Sequence, residues 1–89
     1  MKHARASALD RLEPVLGEIR RHAALKEKSR GVFYLRAKAA LHFHEDPAGL
    51  FADLRIDGDW QRFPVNSPAE RRALLEALSR LIAPAPPDA

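Results

Sequence analysis

From Val32 to Val65 the chain alternates between apolar and polar residues in stretches separated by two turn signals, a pattern that only an antiparallel sheet accommodates well. Phe33, Leu35, Ala37, Ala39, Leu41 and Phe43 share one parity, while Tyr34, Arg36, Lys38, His42 and His44 share the other. Residues 50–57 repeat the pattern, with Leu50, Ala52, Leu54 and Ile56 set against Phe51, Asp53 and Arg55. Between these stretches Asp46-Pro47-Ala48-Gly49 fits a type I turn, with Asp first, Pro second and Gly fourth. Asp57-Gly58 favours a two-residue type I′ turn into Trp60–Val65, because both central residues of that turn need a positive φ. This turn dictates a register in which Asp53 faces Arg62, Arg55 faces Trp60, and Leu54 and Ala52 face Gln61 and Phe63. The stretch from 32 to 44 is long for one strand, and a break near Ala37 and Lys38 would make it two; the pattern leaves both open.

Helical spacing flanks this region. Leu9, Leu12, Leu16, Ile19, Ala23 and Lys26 recur every three or four residues and predict a first helix from Ser7 or Asp10 to Lys28. Asp10 as N-cap with Glu13 three residues on would place Pro14 in or just beyond the first turn; a kinked helix starting at Ser7 is the alternative. Lys26, Lys28 and Arg30 then suit the negative end of the helix dipole, and Gly31 suits a left-handed terminator. Ser67-Pro68-Ala69-Glu70 reads as a capping box, followed by Leu74, Leu75, Leu78, Leu81 and Ile82 as a buried stripe. Pro84, Pro86 and Pro87 close that helix and leave residues 84–89 as a disordered tail.

The expected fold is a single α+β domain over residues 1–83. It is a two-layer sandwich ordered helix, antiparallel meander of three or four strands, helix, with both helices on the apolar sheet face. At 89 residues the chain fills one core. Without cysteine it forms no disulfide, thiolate nucleophile or zinc-thiolate site, which fits a reducing, cytoplasmic setting. Leu9-Asp10-Arg11 interrupts any signal-peptide core, and no apolar run approaches the roughly 20 residues that cross a bilayer, so no membrane association is expected. Arginine outnumbers lysine and alanine is abundant, the usage of a GC-rich bacterium more than a chemical signal. The net charge of +3 is uneven: residues 1–38 hold ten Lys and Arg against four acids, and residues 39–89 hold five against eight.

Two surfaces are candidates for function. The open sheet face would present Tyr34, Phe51 and Trp60 among Arg36, Lys38, Arg55 and Arg62. Aromatics amid cations can stack bases and hold phosphates. A homo-oligomer or other protein contact through the same aromatics is favoured over nucleic acid, since symmetric dimers dominate soluble oligomers. The second candidate is His42-Phe43-His44-Glu45-Asp46, in which period two sets both imidazoles on one face within reach of a shared metal. A metal centre needs at least three protein ligands, and only His3, His22, Glu45 or Asp46 is available to complete the pair. Histidines on a solvated or interfacial face are therefore expected ahead of a metal site. No glycine-rich phosphate loop, nucleophile elbow or cofactor motif is present, and turn and ion-pair roles account for Asp53, Asp57 and Asp59.

The segments Val32-Phe-Tyr-Leu-Arg-Ala-Lys38, Leu41-His-Phe-His-Glu-Asp46 and Gly49-Leu-Phe-Ala-Asp-Leu-Arg55 resemble a group of small bacterial α+β proteins over roughly residues 31–80. The resemblance implies a shared fold and no activity; its most distinctive piece is His42-x-His44 followed by acids. Where such proteins often carry Gly or Ser before the lysine, this chain has Ala37. The function expected is a non-enzymatic cytosolic binding or regulatory module that self-associates through its open sheet face. The alternatives are a nucleic-acid-binding domain and a weak metal site or hydrolase at His42 and His44.

Overall fold

A computed structural model describes residues 2–83; the tail expected at 84–89 lies outside the described residues. The elements are β1 (Lys2–His3), α1 (Ala6–Ile19), β2 (Leu25–Ser29), β3 (Val32–Leu35), β4 (Lys38–Asp46), β5 (Gly49–Ile56), β6 (Asp59–Pro64) and α2 (Pro68–Ile82). All pairings are antiparallel and the strands lie in the order β2-β3-β4-β5-β6. β1 continues the edge of β4 beyond the end of β3, with Lys2 opposite Glu45 and His3 opposite His44. Both helices cover the apolar sheet face. Leu9, Leu12, Leu16 and Ile19 of α1 and Leu74 and Leu78 of α2 share one buried cluster with Phe33, Leu41, Phe43, Leu50, Ala52 and Leu54. The α+β sandwich is thus as expected, and its other sheet face carries no helix among the described residues.

The meander is larger than expected because α1 is shorter. It ends at Ile19, not Lys28. Beyond Ile19 the residues Arg20-Arg21-His22-Ala23-Ala24 offer no large apolar side chain to hold another turn against the sheet, and Ala23 and Lys26 are exposed. Leu25–Ser29 pairs instead with β3, Leu25 against Leu35 and Glu27 against Phe33. The helix starts at Ala6 with no side-chain cap from Arg5, so Asp10 lies inside it and Pro14 sits in its body. Asp10 meets Arg30 at 2.9 Å, Arg30 reaches Glu13 at 2.8 Å, and Arg20 bridges Glu13 and Glu27. The basic residues assigned to the helix end thus belong to the β2–β3 hairpin, where Arg30 ties it to α1. Gly31, with φ +80°, lies in that hairpin's turn.

The long stretch at 32–44 is two strands. Arg36 (φ +52°) and Ala37 (φ +68°) form the turn between β3 and β4 in the left-handed conformation that a type I′ connection requires. A bulge leaves Ala40 between the pairs Phe33–Leu41 and Tyr34–Ala39, so parity breaks there and Lys38 stands opposite Leu35. At the next hairpin Asp57 (φ +52°) and Gly58 (φ +85°) make the expected turn, and every β5–β6 pair has the expected register. The capping box of α2 is complete: Ser67 Oγ accepts from the Glu70 amide at 3.1 Å, and Glu70 Oε1 accepts from the Ser67 amide at 3.0 Å. No helix among the described residues is long and apolar enough to cross a membrane.

Candidate metal centre

Antiparallel register places side chains of the open face in rows. His3, His44 and Phe51 form one row across β1, β4 and β5; Val32, His42, Asp53 and Arg62 form the next across β3 to β6; Arg55 and Trp60 begin a third. Three imidazoles therefore meet where β1 joins β4. The ring centroids of His42 and His44 are 4.6 Å apart, and His3 lies 5.7 Å from His42 and 5.3 Å from His44. One potential ligand nitrogen from each of the three falls within 4.8 Å of the others. Tetrahedral zinc, with bonds of about 2.1 Å, sets its ligand nitrogens about 3.4 Å apart. His3 is exposed on a two-residue strand, which gives its side chain room to turn toward the other two.

The other residues weighed as ligands are placed elsewhere or occupied. Glu45 Oε1 accepts from the Arg5 amide at 3.0 Å, and Asp46 Oδ1 accepts from the Ala48 amide at 2.8 Å inside its turn. His22 sits in the turn that follows α1. His3 completes the group because β1 adds beside β4. A two-residue strand ahead of a helix has no periodicity, which is why the sequence offers His3 only as one choice among four.

Asp53 lies behind the histidines and is 7% exposed, the one buried charged residue among those described. Both its oxygens accept from Arg62, Oδ1 from Nε at 2.8 Å and Oδ2 from an Nη at 2.9 Å. Oδ2 also lies 3.1 Å from His44 Nε2, close enough to interact but out of line for a hydrogen bond. The Arg62 guanidinium holds the Asp53 carboxyl below the usual carboxylate range, with His44 and His42 adding to the effect. Burial pushes His42 below the usual imidazole range, reinforced by His44, His3 and Arg55 and opposed by Asp53. His42 is thus held in the neutral form that ligates metals.

Trp60 reaches across β5, its ring 4.6 Å from His42 and 4.5 Å from the Arg55 guanidinium carbon. It is 41% exposed, whereas Tyr34, under Lys28, and Phe51 are half-buried. The residues of the expected binding face therefore divide. Trp60, Arg55, Arg62 and Phe51 adjoin the histidines, with Arg62 neutralised by Asp53, while Arg36 and Lys38 stand at the β3–β4 turn. Four buried side-chain nitrogens have no hydrogen-bond partner among the described residues: His42 Nδ1, both ring nitrogens of His44, and Arg55 Nε. All four belong to this face.

No family model, curated protein or solved structure matches the chain.

Proposed function

We propose that this domain is a metal-binding module that holds a first-row divalent ion of the zinc type through His3, His42 and His44. The observation that carries the reading is the convergence of three imidazoles from two strands, with buried ring nitrogens of His42 and His44 that have no hydrogen-bond partner among the described residues. A buried polar atom left unpaired costs about 1–3 kcal/mol, and coordination satisfies such atoms. Three imidazole nitrogens are the donor set of a site that keeps one position open for water or another ligand. With its proton on Nε2, His44 lies in the field of the Asp53 carboxylate 3.1 Å away and leaves the Nδ1 lone pair for the ion, and a nearby carboxylate of this kind raises the basicity of a ligating imidazole.

The test is titration of protein free of any polyhistidine tag with Zn2+ and Co2+. Binding is expected at one ion per chain, with a raised melting temperature above about pH 7. The Co2+ complex should show visible ligand-field absorption, and His3→Ala, His42→Ala and His44→Ala should each lose it. An unchanged melting temperature and the spectrum of aqueous cobalt would rule the site out.

A second reading, self-association through the open face, is favoured by Trp60, the one large hydrophobic residue exposed among those described. A dimer in sedimentation that Trp60→Asp converts to monomer would support it, and a monomer at high concentration would remove it. A metal-dependent dimer would join the two readings, since Trp60 lies beside His42 on the same face.

A further inference from the structure

Beside the histidines, but separate from them, the start of β4 and the end of β5 enclose a shallow hollow of about 240 Å³. Arg36, Lys38 and Arg55 line it together with Leu35, Ala39, Ala40 and Gly58, and no acidic residue does. The three cations come from two places in the chain. Arg36 is carried there by the left-handed turn after β3, and Lys38 by the bulge at Ala40 that takes it out of the histidine row. Arg55 arrives from β5. Of the cations on this side of the molecule, Arg62 is neutralised by Asp53, but Arg36, Lys38 and Arg55 form no ion pair among the described residues. Arg55 Nε is also buried with no hydrogen-bond partner, while the guanidinium lies against Trp60.

We infer that this hollow binds a phosphoryl group, with Arg55 as the anchoring donor and Arg36 and Lys38 as flanking cations. A guanidinium presents parallel N–H donors that match two oxygens of a phosphate, and an ammonium adds a mobile point charge. Convergence of three unpaired cations on one concave site raises the local potential for an anion more than the same charges spread over a flat face. The volume suits a phosphate or diphosphate, and its shallowness leaves room for a chain of nucleotides to continue across the sheet toward Trp60. The ligand is thus either a small phosphate compound or the backbone of a single-stranded nucleic acid.

Trp60 is the only tryptophan and touches Arg55, so its fluorescence reports on the hollow directly. Metal-free protein is titrated at low ionic strength with pyrophosphate and, separately, with a single-stranded oligonucleotide. Saturable binding of pyrophosphate is expected, weakening with salt. Arg36→Asn tolerates the left-handed backbone and Lys38→Gln is exposed; each should weaken binding by about tenfold. Arg55→Gln should weaken it further, with thermal melts confirming that each variant is folded. Oligonucleotide binding much tighter than that of pyrophosphate, and lost in the same variants, would identify nucleic acid as the source of the phosphate. No saturable binding of either probe, or binding unchanged in Arg36→Asn and Lys38→Gln, overturns the inference.

Discussion

The carboxylate of Asp53 stands between two cation-capable groups, held in two hydrogen bonds by Arg62 and 3.1 Å from Nε2 of His44. Arg62 faces it from β6, and His44 is diagonal to it on β4. Removing the charge should therefore act in two ways. Asp53→Asn is expected to lower zinc affinity by about 10–100-fold, the usual cost of losing an outer partner of a ligating histidine. It should also destabilise the fold modestly, because the side chain of Arg62 is 48% exposed and water takes over part of its pairing. Zinc competition against a chromophoric chelator, on protein shown by circular dichroism to be folded, measures the first effect. Equal zinc affinity in wild type and Asp53→Asn would show that Asp53 serves Arg62 alone.

Ala37 is held at φ +68° in the β3–β4 turn, a conformation that costs a residue with a Cβ about 1–2 kcal/mol and glycine almost nothing. Ala37→Gly is expected to stabilise the domain by about 1 kcal/mol, a rise of about 4–8 °C in melting temperature for a chain of this size. The greater freedom of glycine in the unfolded chain opposes part of that gain. A lower melting temperature would mean that this loss outweighs the relief of backbone strain.

Gly31 presents the opposite case. Its φ is +80°, and a Cβ there would lie 2.8 Å from Leu9 Cδ2, whose side chain anchors α1 in the core. Gly31→Ala is expected to destabilise by about 1–3 kcal/mol through backbone strain and displacement of Leu9. Chemical denaturation with an unchanged m-value would confirm that the loss is one of native-state stability. The same substitution at Gly58, where a Cβ meets nothing, isolates the backbone contribution.

Legibility from sequence followed the range over which each determinant acts. The Asp57-Gly58 turn fixes its hairpin within a few residues, so the pairings Asp53–Arg62 and Arg55–Trp60 could be read in advance. The capping box at Ser67 is equally local. The end of α1 was not legible, because Ala23 and Lys26 continue the helical spacing while the pairing of Leu25 with Leu35 spans a hairpin that helical spacing conceals. The His42–His44 pair was visible from period two, but its third member depends on a long-range contact between β1 and β4, and the contact of Asp53 with His44 is a diagonal that no single-strand pattern displays. Strand parity alone puts Lys38 on the histidine face, because parity cannot reveal a bulge.

Acidification should destabilise the metal-free domain in two separate steps. Burial, reinforced by His44, His3 and Arg55, keeps the folded-state pKa of His42 below its ordinary 6.5. In the window just below 6.5 the unfolded chain binds a proton that the folded chain refuses, so stability rises with pH there. This contribution is fully present above 6.5 and is lost as pH falls through the folded value. Asp53, held by Arg62 below its ordinary 3.8, behaves in the same sense at lower pH: its contribution persists above 3.8 and disappears as the carboxylate protonates. Melting temperatures recorded from about pH 8 to pH 3 should show one decline beginning near 6.5 and another below 4. His42→Gln should flatten the first and leave the second, whereas Asp53→Asn should only reduce the second, because Arg30 and Arg20 hold Glu13, and Arg20 holds Glu27, below the ordinary carboxylate range as well. Zinc should raise the melting temperature above the first decline and lose its effect across it, as protons displace the ion from the imidazoles. A wild-type profile flat between pH 7 and 5 without metal, and identical to that of His42→Gln, would show that burial of His42 carries no such linkage.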